Sequence, residues 1–302
     1  MKLHYSDEVS GALHFERPIV ALESTVIAHG LPFPHNIETA YKLERIIRER
    51  DVVPATIAVF DGKVHVGIND EQIETLATSS EILKLSVHDL PSAIAMKRTG
   101  ATTVAATATI SRLAGIKVFA TGGIGGVHRG GGHDISADLH VLARTPLVVV
   151  CSGAKSILDI AATREALETL GITVLGWQCD ELPGFYLPST SLKVDQRVED
   201  ARETAAIAVT RDDLRLDSAI LLTVQIPADS ALDEDEVEAV LESAMKVANE
   251  SGVTGKGVTP FLLSSLEKAS DGKTLKANMA LLENNARVAA EVAKAVNQAV
   301  PG

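Results

Sequence analysis

A glutamate and a lysine stand out in the sequence, because each lies next to a short apolar run. Glu23 lies within the segment ALESTVIAHG at 21–30. A carboxylate in an apolar strand is costly to bury as a charge, so we expect Glu23 either to pair with a cation or to act as an acid–base group. Position alone leaves these two alternatives, a structural ion pair and a catalytic role, equally open.

The lysine is Lys155, which ends the segment CSGAK at 151–155. The pattern predicts that it begins a helix after an apolar strand. A lysine at a helix N-terminus faces the positive end of the macrodipole, which disfavours its charged form and prepares the amine for Schiff-base chemistry. A surface lysine is the alternative. Cys151 is a rival nucleophile, but its place in the apolar run indicates a buried thiol.

A glycine-rich segment, TGGIGGVHRG at 121–130, follows another short apolar run. Such a density of glycine lets backbone amides converge on an anion or on a metal-bound oxygen. The segment lacks the Gly-Lys-Ser/Thr ending of a P-loop and does not fit G-x-G-x-x-G, which disfavours nucleoside triphosphates and NAD. The alternative is a flexible surface loop.

Two carboxylates and a hydroxyl come next, in the segment DISAD at 134–138. Asp134, Ser136 and Asp138 offer the hard oxygen ligands that suit Mg²⁺ or Mn²⁺. On spacing alone, helix capping by Asp134 or Ser136 is the favoured interpretation. The nearby histidines are His128, His133 and His140. Their spacing matches no zinc motif and no thiolate accompanies them, which argues against zinc.

A weaker candidate combines Lys84 and Ser86 with the segment GATTVAAT at 100–107. Small hydroxyl residues that open a helix near a lysine can bind a single phosphate. The competing explanation is that Thr102 or Thr103 caps the helix.

These candidates require a fold that brings strand ends together. Apolar runs predict strands at 19–25, 117–120, 146–151 and 172–176, and a hairpin of 55–60 with 63–67. Helical spacing predicts helices at 37–50, 102–115, 155–170, 234–250 and 275–300. This alternation predicts a layered α/β/α sheet with helices on both faces and a helical C-terminal portion packed on the sheet, all in one domain, 1–302. Residues just after the strands then meet at one edge.

Composition narrows the class of partner. The 302 residues carry 28 Lys+Arg against 40 Asp+Glu, a net charge of -12, with 3% aromatic residues. A nucleic-acid polymer is therefore a poor partner. No apolar run reaches the length of a membrane span, the first residues do not resemble an export signal, and two cysteines cannot form a disulfide framework. We expect a cytoplasmic protein that does not bind membranes.

With these segments in place, the chain resembles the pseudouridine-5'-phosphate glycosidase family, also described as indigoidine-synthase-A-like. The resemblance rests on several long motifs in one order: ALESTVIAHGLPFP, GATTVAAT, TGGIGGVHRG, DISADL, CSGAKSILD, VTPFLL and ANMALLENNA. It implies cleavage of the C–C glycosidic bond of pseudouridine 5'-phosphate to uracil and ribose 5-phosphate, with Mn²⁺ or another divalent metal, in a homotrimer.

The resemblance also implies roles for particular residues. The acid–base glutamate falls on Glu23, the Schiff-base lysine on Lys155 and the metal-binding aspartate on Asp134. The implied substrate contacts are Lys84, Val104, Ser136, Ala137 and Asp138. From the residues themselves we add Thr103 and, in the C-terminal helix, Asn278 and Asn284. For both asparagines helix packing is an equal explanation.

Two departures from the family pattern bear on the substrate. Val87 and His88 stand where many members carry arginines, which affects the expected phosphate contacts. The loop between 128–130 and Asp134 is shorter, which affects the metal site. Two rival functions therefore stay open: a C-glycosynthase that joins ribose 5-phosphate to a uracil-like or aromatic acceptor, and a noncatalytic ribose-phosphate-binding regulator.

Overall fold

Parallel strands with buried side chains form the centre of the protein. The structure is a computed structural model that describes residues 2–129, 134–250 and 258–299. Within these ranges the strands are β1 Leu3–Tyr5, β2 Ile19–Leu22, β3 Val53–Phe60, β4 Lys63–Val66, β5 Leu83–Leu85, β6 Gly100–Thr102, β7 Val118–Ala120, β8 Val127–His128, β9 Val148–Cys151, β10 Leu158–Asp159, β11 Thr173–Trp177, β12 Gln196–Val198 and β13 Ile220–Thr223.

Helices connect most of these strands. In chain order the α-helices of the described residues are α1 Asp7–His14, α2 His35–Arg48, α3 Asp70–Thr78, α4 Leu90–Ala95, α5 Val104–Leu113, α6 Ala137–Leu142, α7 Ile160–Thr169, α8 Ala201–Asp213, α9 Glu234–Glu250, α10 Val258–Ala269 and α11 Lys273–Ala299. A π-helical turn, Val26–Gly30, follows β2.

The main sheet is 11-stranded in the described part of the chain, with the order β1-β4-β3-β2-β7-β9-β13-β11-β12 and with β6 and β5 attached beside β3. From β3 to β12 every neighbouring pair in that order is parallel. The β3–β4 hairpin is antiparallel, as its Asp-Gly turn predicts. The carboxyl ends of β2, β7 and β9 therefore lie side by side at one edge.

Burial explains why the central strands read as continuous apolar runs. Every residue of β2, β9 and β13 is buried. Because successive side chains of a strand point to opposite faces, both faces of the sheet must be covered. The layered α/β arrangement predicted from the sequence is thus confirmed.

The long C-terminal helix covers the middle of the sheet. Helix α11 packs against α2 and α8 and contacts β2, β7 and β9, while α5 contacts β2 and β3 and packs next to α6. The buried positions of α11 include Asn278, Leu281, Leu282 and Asn285, which recur at helical spacing. The C-terminal portion packs on the sheet as expected. The assignment of 1–302 to a single domain stays a prediction.

The structure corrects some predicted boundaries. The strand predicted at 19–25 ends at Leu22, and the helix predicted at 102–115 begins at Val104. The larger error concerns the helix predicted at 155–170. Helix α7 begins at Ile160, because the Asp159 side chain accepts a hydrogen bond from Ala162 N at 2.9 Å and caps the helix there. Among the described residues no helix is long and apolar enough to span a bilayer.

Candidate functional site

A cavity of about 560 Å³ opens at the edge where β2, β7 and β9 end. This volume falls within the range of about 300–1,000 Å³ typical of small-molecule sites. The residues expected to act in catalysis, substrate binding or metal binding line it: Glu23, Lys84, Thr103, Val104, Asp134, Ser136, Ala137, Asp138, Lys155 and Asn278. The fold thus gathers residues that are far apart in the chain.

Glu23 follows β2 directly, and only 7% of its surface is exposed. Thr25 Oγ1 donates a hydrogen bond to Glu23 Oε2, and Thr121 Oγ1 donates one to Glu23 Oε1. Both oxygens of the buried carboxylate are thus held by neutral hydroxyls, which orient it towards the cavity. Sequence reasoning missed Thr121, although its place immediately after β7 is a signal that could have identified it.

The residue after Glu23 anchors the strand end to the sheet. Ser24 Oγ donates to Ile57 O at 2.6 Å and accepts from Thr102 N at 2.8 Å. Thr102 Oγ1 donates to the same carbonyl, Ile57 O, at 2.7 Å. Thr102 is fully buried in this network and does not line the cavity. Of the two threonines offered as helix caps, Thr103 is thus the cap and lines the cavity, whereas Thr102 belongs to the end of β6.

Lys155 reaches the cavity from a loop, not from a helix N-terminus. Its backbone N–H donates to Ile124 O at 3.1 Å, and its carbonyl accepts from Leu158 N at 3.0 Å. The first bond ties the loop after β9 to the glycine-rich segment after β7, and the second closes a turn within the loop. Since α7 begins at Ile160, the predicted influence of a helix dipole on Lys155 is wrong, and the loop itself sets the position of the amine.

The predicted phosphate-binding residues lie together at one end of the cavity. Lys84 lies on β5, paired in register with Ala101 of β6, and Thr103 and Val104 begin α5 just beyond β6. Thr103 caps α5, accepting from Ala106 N at 3.5 Å. The capping explanation is thus confirmed for Thr103, and the same helix start faces the cavity, where the positive end of the helix dipole favours an anion.

His29, which sequence reasoning did not single out, lies beside Lys84 in the π-helical turn. Burial and then the charge of Lys84 lower the pKa of its ring. The ring is therefore neutral at physiological pH and adds no positive charge to this end of the cavity.

Asp138 braces two walls of the site. Its Oδ1 accepts from Ala105 N at 2.9 Å, and its Oδ2 accepts from Gly125 N at 2.8 Å. A Cβ on Gly125 would lie 2.8 Å from the same Oδ2, so the close approach requires glycine. Ser136 caps α6, as expected, by accepting from Asp138 N at 3.2 Å. Backbone amides thus occupy both oxygens of Asp138, which lines the cavity mainly as a brace.

Asp134 has a different environment, with a side chain that is 61% exposed. Its Oδ2 lies 4.0 Å from His128 Nδ1. Within 2–129, 134–250 and 258–299 no group of three or more His, Cys, Asp or Glu side chains is placed to hold a metal. A single carboxylate of this kind suits a hard cation that takes its other ligands from water and substrate. His133 lies outside the described residues.

The C-terminal helix contributes one predicted residue and one that was missed. Asn278 lines the cavity near Gly122. Asn284 does not line it; its Nδ2 donates to Gln225 O at 3.2 Å, so the helix-packing explanation holds. The missed residue is Asn285, which is fully buried and bonds to the ends of β7 and β9. Its position two helical turns beyond Asn278 was the available signal.

Two other polar groups near the cavity are excluded from its chemistry. Arg129 in the glycine-rich segment donates from Nε to Leu158 O at 3.1 Å and pairs with Glu238 of α9, so its charge is used structurally. Cys151 is fully buried, and burial raises the pKa of its thiol to about 12. The prediction that this cysteine is a buried thiol and not the nucleophile agrees with that environment.

Comparison with known proteins finds similar sequences over nearly the whole chain, and these relatives are named pseudouridine-5'-phosphate glycosidases. It is 51% identical over 300 residues to a pseudouridine-5'-phosphate glycosidase of Symbiobacterium thermophilum, covering 97% of each chain. It is 47% identical over 298 residues to one of Staphylococcus aureus, covering 98% of this chain and 97% of the other.

Solved structures agree with these sequence relatives. The prealnumycin C-glycosynthase AlnA in complex with ribulose 5-phosphate superposes with a TM-score of 0.90 at 41% identity, covering 98% of this chain and 97% of that one. An indigoidine synthase A-like protein of Thermotoga maritima superposes with a TM-score of 0.89 at 36% identity, covering 96% and 95%. The family model of the indigoidine synthase A-like proteins matches residues 8–295. The chain therefore belongs to the indigoidine synthase A-like protein family.

Proposed function

We propose that the protein cleaves the C–C glycosidic bond of pseudouridine 5'-phosphate to give uracil and ribose 5-phosphate. The observation that carries the proposal is one cavity that holds a buried carboxylate, Glu23, and a lysine, Lys155, together with a cationic end formed by Lys84 and the start of α5. The relatives named pseudouridine-5'-phosphate glycosidase, at about half identity over nearly the whole chain, support the same substrate.

A lysine is needed because a carbon leaving group cannot depart as oxygen or nitrogen leaving groups do. In an ordinary glycoside two carboxylates suffice. Here the ribose ring opens by cleavage of the C1'–O4' bond, with a proton to O4', and Lys155 Nζ forms a bond to C1'. Lys155 is the only lysine besides Lys84 among the residues that line the cavity in the described part of the chain.

The carboxyl group of Glu23 donates and accepts the protons in these reaction steps. A proton is delivered to C5 of uracil, the C1'–C5 bond breaks with its electron pair retained by the uracil ring, and a C1'=N bond to Lys155 forms. Water then adds to C1' and releases ribose 5-phosphate and the free amine. The hydroxyls of Thr25 and Thr121 hold the carboxylate in place through these steps.

The cationic end of the cavity positions the sugar phosphate. The Lys84 amine and the positive end of the α5 dipole attract a phosphate, and α5 is long enough at ten residues to present a helix terminus. Fixing the phosphate there orients C1' for attack, which supplies part of the rate enhancement. Ser136, Ala137 and Asn278 shape the remaining wall.

A divalent cation, a homotrimeric assembly and a cytoplasmic location complete the proposal. Asp134 would hold Mn²⁺ or another divalent metal together with water, and the ion would supply positive charge that orients polar groups of the substrate. These three features rest on the family resemblance and on the composition of the chain.

The nucleophile can be tested directly by trapping. Purified protein is incubated with pseudouridine 5'-phosphate and Mn²⁺, reduced with borohydride, and analysed by intact and peptide mass. We expect free uracil and a ribose-phosphate adduct on Lys155. Lys155→Ala should abolish both while the protein stays folded. Lys193→Ala, which removes an exposed lysine paired with Glu181, is the matched control and should behave as wild type. An adduct on another lysine would overturn the assignment of Lys155.

The second candidate function is a C-glycosynthase. The superposition on prealnumycin C-glycosynthase AlnA favours it. The same carboxylate and lysine serve the reverse reaction, so acceptors discriminate the two: ribose 5-phosphate is offered with uracil or with a larger aromatic ring. Reaction with the larger ring while uracil fails would assign the synthase, and cleavage of pseudouridine 5'-phosphate assigns the glycosidase.

A further inference from the structure

One buried side chain connects the strand ends that carry the two catalytic groups of the proposed reaction. Asn285 lies on α11 and none of its surface is exposed. Its Nδ2 donates to Thr121 O at 2.9 Å and lies 3.3 Å from Gly122 O, where β7 ends. The same carboxamide contacts Ser152, where β9 ends.

The contact with Ser152 uses the rest of the carboxamide. The Ser152 hydroxyl accepts from Asn285 Nδ2 at 3.1 Å and lies 3.2 Å from Oδ1, to which it donates. Ser152 is itself fully buried, and its backbone N–H donates to Gly122 O at 2.9 Å. The carboxamide therefore cross-links two neighbouring strand ends within the buried interior.

These two strand ends lead to the two reacting side chains. Thr121, whose carbonyl Asn285 binds, donates its hydroxyl to Glu23. Ser152 begins the loop that carries Lys155, which is anchored to the glycine-rich segment through Ile124 O. A continuous path of hydrogen bonds and short backbone segments thus runs from the acid–base carboxylate through Asn285 to the nucleophile.

We infer that Asn285 is a positioning residue that sets the separation of Glu23 and Lys155. The inference rests on the proposed function, since it assigns Asn285 to the step in which both groups act at once. Catalysis is sensitive to such placement, because a shift of about 1 Å can lower a rate by about a hundredfold.

Two substitutions test the inference. Asn285→Asp keeps the shape of the side chain but turns an acceptor towards the carbonyls of Thr121 and Gly122. Asn285→Leu removes the hydrogen bonds and keeps similar volume. The matched controls are Asn284→Asp and Asn284→Leu on the next residue of α11, whose single side-chain bond, to Gln225 O, leads away from the cavity.

Two assays separate positioning from general structure. Cleavage of pseudouridine 5'-phosphate requires Glu23 and Lys155 together, whereas borohydride trapping of ribose 5-phosphate reports the amine of Lys155. We expect the Asn285 variants to lose about a hundredfold in kcat with KM within about threefold, while the yield of trapped adduct stays within about threefold of wild type. The Asn284 variants should retain wild-type kcat.

A merely structural role gives a different pattern. If kcat and adduct yield fall in proportion, the variants only reduce the amount of folded protein and the inference is wrong. It is also wrong if folded Asn285→Leu keeps wild-type kcat. Should both Asn285 variants fail to fold, Ser152→Ala, which deletes one partner and retains the bond to Thr121 O, must show the same separation of cleavage from trapping at about tenfold, or the inference fails.

Wild-type activity distinguishes the inference from the proposed function. If wild-type protein does not release uracil, the proposed function fails and this inference fails with it. If wild-type protein cleaves and the Asn285 variants cleave equally well, only the positioning role is overturned.

Discussion

Asp138 offers the sharpest test of how the site is held together, because replacing one of its two carboxylate oxygens by an NH₂ group removes one of its two backbone hydrogen bonds. Asp138→Asn keeps the side-chain shape. One oxygen remains to accept from Ala105 N or from Gly125 N, and the new amide group faces the other N–H as a second donor. The glycine-rich segment and the start of α5 then lose one of the connections that hold them together.

The expected cost follows from these contacts. A hydrogen bond to a charged group contributes about 1.5–3 kcal/mol, and a buried N–H left without an acceptor costs about 1–3 kcal/mol. Relief from burying the carboxylate charge offsets part of the sum, since the side chain is only 7% exposed. We therefore expect Asp138→Asn to lower the free energy of unfolding by about 2–4 kcal/mol, or the melting temperature by roughly 4–8 °C at about 2 °C per kcal/mol for a chain of this size.

The assay is urea unfolding in the presence of a chelator, with Asp134→Asn as the matched control. Asp134 lies in the same segment but its side chain is 61% exposed, so its substitution should change the free energy of unfolding by no more than about 0.5 kcal/mol. Equal effects of the two substitutions, or a loss below about 1 kcal/mol for Asp138→Asn, would refute the reasoning. Asp138 would then contribute chiefly to substrate binding, as the family resemblance implied.

Three further predictions follow from single contacts. Thr121→Val removes the hydroxyl that donates to Glu23. In steady-state assays it should lower kcat by about ten- to a hundredfold with little change in KM, because a hydrogen bond to a charged group is lost. The control Thr223→Val, which removes a buried hydroxyl bonded to Leu175 O on the same sheet, should leave kcat unchanged. Burial lowers the pKa of the His65 ring, and the charges of His4 and Lys63 lower it further. The contribution of the neutral ring to stability is therefore complete above the unfolded pKa of about 6.5 and is lost as the pH falls through the folded pKa. His65→Gln should flatten the dependence of the urea unfolding midpoint on pH in that window. Cys151, with its pKa raised to about 12, should resist iodoacetamide at pH 8 in the folded protein and react in urea, as read by peptide mass; rapid labelling without urea would contradict its burial.

The fold was predictable where one periodic signal dominated. The apolar run of β9 is buried on both faces, and the Asp-Gly dipeptide between β3 and β4 is a strong turn signal that the antiparallel pairing of these strands confirms. The strand at 19–25 was overextended, because the hydroxyl of Ser24 bonds across to Ile57 O and the chain enters a π-helical turn. That bond joins residues far apart in the sequence, so periodicity carries no trace of it.

The site was predictable as a list of residues but not as a set of contacts. Resemblance and strand-end logic placed Glu23, Lys155 and Lys84 in one cavity. The expected helix dipole at Lys155 was wrong, because Asp159 captures the helix start and the sequence offers several residues that can cap. Choosing Asn285 over Asn284 required knowing which face of α11 meets β7 and β9, which the tertiary packing alone decides.

The bonds of Asn285 also determine when the site can form during synthesis. The partners Ser152 and Asn285 are 133 residues apart in the chain. At about 5–20 residues per second, the ribosome adds this stretch in roughly 7–27 s, so the hydroxyl of Ser152 and the carbonyl of Thr121 lack their Asn285 partner for at least that time. The edge of the nascent sheet where the cavity later forms is therefore solvent-exposed until then. Maturation of the catalytic centre is a late event, which begins only when α11 docks.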